Sequence, residues 1–251
     1  MARKPPALPP PAQSDWAYFL DFDGTLLDLA ATPDTIRVDS ALPLLLTGLQ
    51  RASAGAVALI SGRALADLDL RISLPGLSKA GQHGLERRDA AGRLWLHAAP
   101  PQAKQTICAA LAPLLERHRG LILEDKGLTL ALHYRQQPAL ASYVHQLMRR
   151  LVAEVGENLV IQTGKCIVEV KPAGVDKGTA VSEYLAEPPF LGRRPVFIGD
   201  DKNDEHGFAA VNARDGISIG VGSGAGQAHY RLPDVAAVRS WLAGALNEDR
   251  S

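Results

Sequence analysis

Apolar runs of strand length alternate along the chain with stretches whose leucines and alanines recur at helical spacing. Trp16 to Leu20 reads as a first strand and ends on Asp21; Ser40 to Arg51 is leucine-rich and helical and closes near Gly55. Val57 to Ile60 is a second strand, ending on Ser61. Val196 to Ile198 is another, ending on Gly199, Asp200 and Asp201. Gly216 to Ile219 reads as the last strand and Val235 to Leu246 as a closing helix. Short, almost wholly apolar strands separated by amphipathic helices predict an α/β fold around a buried parallel sheet.

The middle of the chain follows a different pattern. Gln102 to Arg119 and Pro138 to Val155 read as long helices. Leu121 to Asp125 and Leu128 to Arg135 flank Gly127, and Leu159 to Thr163 and Cys166 to Lys171 flank Gly164-Lys165, two hairpin signals. The expected organisation is a short flexible, proline-rich tail over residues 1–14, a core made of 15–91 and 172–251, and an α+β unit inserted over 92–171.

Composition narrows the function. Of 251 residues, 46% are hydrophobic and 22% charged, as in an ordinary globular protein. Lysine plus arginine (27) equals aspartate plus glutamate (27), so no long-range field gathers nucleic acid or anionic lipid. An anionic ligand must be held by a local cluster of positive groups. The start carries Arg3 and Lys4 before its prolines and no apolar stretch, which fits neither a secretory signal nor a membrane span. The two cysteines, Cys108 and Cys166, form no CxxC pair and suit a reducing, cytoplasmic setting. Nothing in the sequence implies an obligate protein partner.

The sharpest local signal is Asp21-Phe22-Asp23-Gly24-Thr25, directly after an apolar strand. Residues two apart in extended chain face the same way, so both carboxylates can project from the sheet's carboxyl edge, where open α/β sheets bind their ligands. Adjacent anions call for a hard cation, and a carboxylate can attack phosphorus. An Asp-Gly turn without chemistry is the plainer reading. A calcium loop counted from Asp21 fails at its sixth position, Leu26, where glycine is needed. A second acidic strand end, Gly199-Asp200-Asp201-Lys202-Asn203-Asp204-Glu205, is either a partner for the first or simply an acidic helix start.

Between them stand Ser61, in Ile60-Ser61-Gly62-Arg63, and Lys177, in Val175-Asp176-Lys177-Gly178-Thr179. A cation at a helix start is mildly unfavourable, which points to an anion near Lys177 or to an exposed surface lysine. Acid pair, hydroxyl, lysine and acid pair together make a phosphoryl-transfer set. Gly220 to Gly226 loosely fits a dinucleotide fingerprint, but Arg231-Leu232-Pro233 interrupts any following helix. It reads instead as a glycine loop beside the active site. The seven histidines show no zinc spacing.

This order of motifs resembles the haloacid dehalogenase-like (HAD) phosphatase superfamily. The resemblance implies a HAD-like Rossmannoid core with a parallel sheet, an inserted α+β cap, an aspartyl-phosphate intermediate and a magnesium ion. It implies Asp21, Asp23, Ser61 and Lys177 as catalytic groups. Magnesium is then held by Asp21, the backbone carbonyl of Asp23, and Asp200, with Asp201 and Asp204 supporting the metal site or orienting Lys177.

Further motifs are more specific. Gly81-Gln82-His83-Gly84-Leu85-Glu86, Glu124-x-Lys126 with His133-Tyr134-Arg135, and Val168-Glu169-Val170-Lys171-Pro172 are similar to those of trehalose-6-phosphate phosphatases, over about Tyr18 to Trp241. The similarity implies a sugar phosphate substrate, contacted by His83, Glu124, Lys126, His133 and Glu169, with Arg63 at the phosphate end. Asn203, His206 and Leu85 depart from the family's usual residues without touching its carboxylates. The polar sheet face that carries the cap motifs would also suit plain solvent exposure. A phosphatase of another sugar phosphate and a non-catalytic sugar-phosphate-binding protein are the alternatives.

Overall fold

The computed structural model describes residues 7–28, 37–156, 158–164, 166–223 and 226–246. Two compact units divide the chain, Met1–Trp95 with Val175–Ser251, and Leu96–Gly174.

The first unit begins with β1 (Ala17–Leu20), α1 (Ala41–Ala52), β2 (Val57–Ile60), α2 (Leu65–Arg71), β3 (Ser78–Gly81) and β4 (Glu86–Arg88), and the chain leaves it through β5 (Leu94–Leu96). The second unit comprises α3 (Pro101–Arg117), β6 (Ile122–Asp125), β7 (Leu130–His133), α4 (Ala141–Val155), β8 (Leu159–Gly164) and β9 (Ile167–Pro172). The chain returns to the first unit with α5 (Lys177–Leu185), β10 (Pro195–Gly199), α6 (Glu205–Asn212), β11 (Ile217–Val221), β12 (Tyr230–Leu232) and α7 (Val235–Gly244).

The eight-stranded sheet of the first unit has the order β12-β11-β10-β1-β2-β3-β4-β5. The pairings from β12 to β3 are parallel, and β4 runs antiparallel to β3. All four residues of β1 are buried because both faces are covered. Tyr18 and Leu20 pack with Leu42, Leu46 and Leu49 of α1 and Val238 and Leu242 of α7. Ala17 and Phe19 pack with Ala180, Val181 and Tyr184 of α5 and Phe208 and Val211 of α6. This period-two split into two helical layers is what an apolar run without polar alternation encodes. From β1 the chain moves one way to β2 and β3 and later returns on the other side through β10. The carboxyl ends of β1 and β10 therefore meet at a topological switch point, the usual ligand crevice of open α/β sheets.

The second unit is a four-stranded antiparallel sheet, β6-β7-β9-β8. Leu130, Leu132, Val168 and Val170 bury one face against Ile107, Leu111 and Leu114 of α3 and Val144, Leu147, Met148 and Leu151 of α4. The opposite residues in register, among them Glu124, Ala131, His133 and Glu169, make the other face.

Three features depart from the expected pattern. Gly216 to Ile219 is not the last strand, because β12 follows and pairs in parallel with β11. At three residues and at the sheet edge, it leaves too short an apolar trace to register. The strand β3, Ser-Lys-Ala-Gly, is wholly buried without an apolar run. Its Lys79 is accommodated because Nζ donates to Asp69 at 2.7 Å and to the Ile72 carbonyl at 2.6 Å. Residues 1–6 of the expected flexible tail lie outside the described residues, but residues 7–14 are fastened to the core. Ala7 bridges Tyr230, Ala12 is buried, and the Trp241 indole donates to the Pro10 carbonyl at 2.8 Å. Prolines restrict this segment in the unfolded chain as well, so docking it costs less entropy than a polar tail would. Lys165, of the expected hairpin turn, lies outside the described residues.

Phe19 is fully buried and stacks on Tyr184 and Phe190 at centroid distances of 6.2 and 5.3 Å. Phe19→Ala is expected to lower unfolding free energy by about 3–5 kcal/mol, read as an earlier urea midpoint at unchanged slope. A loss below about 1 kcal/mol would contradict this packing.

Candidate active site

Asp21 continues β1 by one residue, its N–H donating to the Ile198 carbonyl at 2.9 Å, and it is buried at the sheet's carboxyl edge. The chain then reverses: Leu26 and Leu27 donate back to the Phe22 carbonyl at 3.0 and 3.1 Å, and Gly24 donates to Leu27 at 2.7 Å. Gly24 has φ +84°, and a Cβ there would lie 2.2 Å from Asp200 Oδ2. The Asp-Gly turn is thus also the place where the two acidic strand ends approach, and only glycine permits both the turn and the approach.

The Lys177 Nζ donates to Asp21 Oδ1 at 2.7 Å and to Asp204 Oδ1 at 2.6 Å. All three groups are buried. Burial works against the ammonium charge, but Asp21 and Asp204 outweigh it and hold the lysine's pKa above its ordinary value. Lys177 opens α5, an unfavourable place for a cation, and the mismatch resolves as the sequence suggested: its side chain serves two anions. The helix start is satisfied separately by Asp176, which accepts from the Thr179 N–H at 2.9 Å.

Asp204 ends a short 3₁₀ turn, Lys202–Asp204. Asp201 caps that turn, accepting from Asn203 N at 2.7 Å and Asp204 N at 3.3 Å, while its own N–H donates to Asp204 Oδ2 at 3.0 Å. A Cβ on Gly199 would sit 2.2 Å from Asp204 Cγ, so the glycine at the end of β10 makes room for this carboxylate. Burial and the nearby Asp21 charge push Asp200 up to about 7 and Asp204 up to about 8. Asp201 moves the other way: despite burial, the Lys177 charge and the Asn203 hydrogen bonds hold it below the ordinary carboxylate range.

One oxygen each from Asp21, Asp200 and Asp204 lies within 4.8 Å of the other two. Three carboxylates against one lysine leave an uncompensated negative charge, and the raised pKa values of Asp200 and Asp204 express it. An all-oxygen donor set with surplus anionic charge fits a hard divalent cation. Thr25, which the sequence reading did not single out, joins the group: its buried Oγ1 is 3.1 Å from Asp21 Oδ2 and 3.3 Å from Asp200 Oδ1. The only signal for it was its place in the loop that folds back onto Asp21.

Asp23 faces elsewhere. Arg63 holds its carboxylate with two bonds, Nε to Oδ2 at 2.5 Å and Nη2 to Oδ1 at 2.9 Å, and reaches Asp67 through Nη1 at 2.5 Å. Expected at the phosphate end, Arg63 is here committed to Asp23 and Asp67, and each acid of the Asp21/Asp23 pair has its own protein cation. Ser61 is buried at the end of β2, its Oγ accepting from Arg63 N at 3.1 Å. His83 N donates to the Ser61 carbonyl at 2.9 Å, and Gln82 and His83 both have left-handed backbones, φ +47° and +59°. The loop after β3 is thereby drawn against the Ser61 turn.

Of the glycine loop, Gly224 and Ala225 lie outside the described residues. Val221, Gly222 and Ser223 line a cleft of about 350 Å³ with Gly24, Asp28 and Asp200, which puts the loop beside the acidic cluster. Glu205 fastens it, accepting from Gly226 N at 2.6 Å and Gln227 N at 3.0 Å. This role for Glu205 had no sequence signal. His206 is exposed and 3.9 Å from Asp176, and Asn203 Nδ2 donates to Asp201 at 3.0 Å.

In the second unit, the remaining expected contacts fall on the sheet face away from the helices. His133 Nε2 and Glu124 Oε2 are 2.8 Å apart. Lys126 Nζ is 3.6 Å from Glu169 Oε1, and the Thr129 hydroxyl donates to that same oxygen at 2.5 Å.

Lys177→Met leaves Asp21 and Asp204 buried beside each other without their cation. The expected cost is about 3–5 kcal/mol of unfolding free energy in metal-free protein. Chemical denaturation followed by circular dichroism reads it, and unchanged stability would contradict the buried ion triad.

Comparison with known proteins identifies the family. The family model described as Trehalose-phosphatase matches residues 19–236. The chain is 41% identical to the trehalose-6-phosphate phosphatase of Escherichia coli (strain K12) over 233 residues, 93% of this chain and 87% of the relative. It is 42% identical to a probable trehalose-phosphate phosphatase of Sinorhizobium fredii over 232 residues, 91% of this chain and 87% of the relative. A crystal structure of the Aspergillus fumigatus trehalose-6-phosphate phosphatase superposes with a TM-score of 0.73 at 25% identity, covering 93% of each chain. With the match to the family model spanning most of its length, the chain belongs to the trehalose-phosphatase family, with the α/β architecture of HAD-like phosphatases.

Proposed function

We propose that this protein is a magnesium-dependent phosphatase that hydrolyses trehalose 6-phosphate to trehalose and phosphate through an aspartyl phosphate on Asp21. The observation that carries the reading is the buried Asp21–Lys177–Asp204 triad beside Asp200, in a chain of this family. Asp21, the backbone carbonyl of Asp23, and Asp200 would hold the magnesium, with Asp204 close by and Asp201 supporting the turn. When bound, the ion would neutralise charge on the phosphoryl oxygens.

The protein's own groups divide the remaining work. Lys177, kept cationic by its two carboxylates, balances negative charge where the phosphoryl group transfers. Ser61 orients a phosphoryl oxygen. Asp21 attacks phosphorus, forming an Oδ–P bond as the bond from phosphorus to the sugar oxygen breaks, and Asp23 delivers a proton to that departing oxygen. Asp23 then takes a proton from water, whose oxygen bonds to phosphorus and releases Asp21. Because Arg63 holds both oxygens of the Asp23 carboxylate, delivery of the proton requires Asp23 to leave the guanidinium. His83, Glu124, Lys126, His133 and Glu169 offer donors and acceptors for sugar hydroxyls, and Arg63 assists the phosphate end once freed from Asp23.

No helix among the described residues is long and apolar enough to cross a membrane, and both cysteines are free. We assign the enzyme to the cytoplasm and to a small-molecule substrate.

Phosphate release measured on trehalose 6-phosphate beside glucose 6-phosphate, sucrose 6-phosphate and mannose 6-phosphate, each with magnesium or with chelator, tests the reading. Turnover of the trehalose ester is expected to exceed that of the others by at least about 100-fold in kcat/KM and to vanish with chelator. Preference for another ester would overturn the substrate, and full activity in chelator would overturn the metal.

A further inference from the structure

On the polar sheet face of the second unit, Glu169 is held in a way that its sequence motif does not explain. Two partners act on one of its oxygens: the Thr129 hydroxyl donates to Oε1 at 2.5 Å, and Lys126 Nζ stands 3.6 Å from it. Among the described residues Oε2 has no hydrogen-bond partner, although the side chain is only partly exposed. Thr129 itself is buried, and among the described residues its hydroxyl has no acceptor but Glu169. Both partners come from one tight turn between β6 and β7, closed by Lys126 N donating to the Thr129 carbonyl at 3.1 Å, with Gly127 at φ +80°. Cross-strand register places Ala131, two residues after Thr129, directly opposite both Glu169 and Glu124, so only a methyl group separates the two carboxylates along that row. A carboxylate fixed through one oxygen, with the other open and a small residue alongside, is a rigid hydrogen-bond acceptor.

We propose that Thr129 is a positioning residue for substrate recognition: it pins Oε1 of Glu169 so that Oε2 is presented to a sugar hydroxyl. This rests on the reading that Glu169 contacts the sugar of a sugar phosphate. Thr129 touches no substrate and acts only through Glu169. Valine at 129 keeps the shape and removes the donor, leaving the Glu169 side chain free to sample other rotamers. Serine keeps the donor.

The test compares steady-state kinetics of wild type, Thr129→Val, Thr129→Ser, Glu169→Gln and the Thr129→Val/Glu169→Gln pair on trehalose 6-phosphate and on p-nitrophenyl phosphate, an ester without sugar hydroxyls. Thr129→Val is expected to raise KM for the sugar ester about ten-fold, with kcat within about two-fold and KM for the aryl ester unchanged. Thr129→Ser should restore the wild-type KM, and the paired variant should match Glu169→Gln alone. A raised KM in Glu169→Gln with none in Thr129→Val would overturn the proposal while leaving the sugar contact in place. Equal KM changes on both esters would also overturn it, since a general structural effect would then suffice. An unchanged KM in Glu169→Gln would remove Glu169 from sugar binding, and the proposal with it.

Discussion

The Lys177 ammonium lies 2.7 Å from Asp21 and 2.6 Å from Asp204, and the first unit is arranged to make that contact possible. Desolvating three charges is costly, and the geometry is tolerable because the lysine bonds one oxygen of each carboxylate while Thr25 Oγ1 and Asp201 N donate to the other oxygens of Asp21 and Asp204. Gly199 leaves space for Asp204, Gly24 leaves space for Asp200, and Asp201 ties the Asp204 turn to the end of β10. The β1/β10 switch point brings residues 21 and 200 to the same edge, and α5 delivers Lys177 from a third segment. Remove the lysine and two buried carboxylates face each other; remove a carboxylate and the surplus charge that favours a divalent ion shrinks.

The second acid of the first motif has a different environment. Asp23 rests on Arg63, whose guanidinium is shared with Asp67, and Asp67 is in turn paired with Arg71 at 3.0 Å. Asp21 and Asp23 are two residues apart, yet one joins the acidic cluster and the other an arginine chain. Under the proposed mechanism that separation suits two roles, a nucleophile and a proton carrier that must exchange partners. On the second unit the same logic recurs at smaller scale. Glu124 is paired with His133, and Glu169 with Lys126 and Thr129.

Much of this was legible in the chain because apolar strands that end abruptly on acids are strong local signals. The strands β1, β2 and β10, and the acids that follow β1 and β10, fall where the hydrophobic pattern puts them, since each strand is buried on both faces and carries little polar interruption. Lys177 was legible through its conflict with the helix dipole. What escaped depends on contacts between distant segments. The strand β3 is buried by virtue of what Lys79 bonds to, and β12 is a three-residue edge. Thr25 matters because residue 200 arrives beside it, and Arg63 turns to Asp23 across 40 positions. Glu205 tethers a loop some twenty residues further on. No local pattern encodes such pairings.

The central claim is that Asp21 carries the phosphoryl group, and its most direct test is chemical trapping during turnover. Protein quenched in the steady state with trehalose 6-phosphate and treated with borohydride should show homoserine at position 21 by peptide mass spectrometry, because borohydride reduces an acyl phosphate and leaves a free carboxylate intact. Conversion at residue 21 that requires substrate would support the account. A phosphoryl group trapped on any other residue, with Asp21 unaltered, would contradict it.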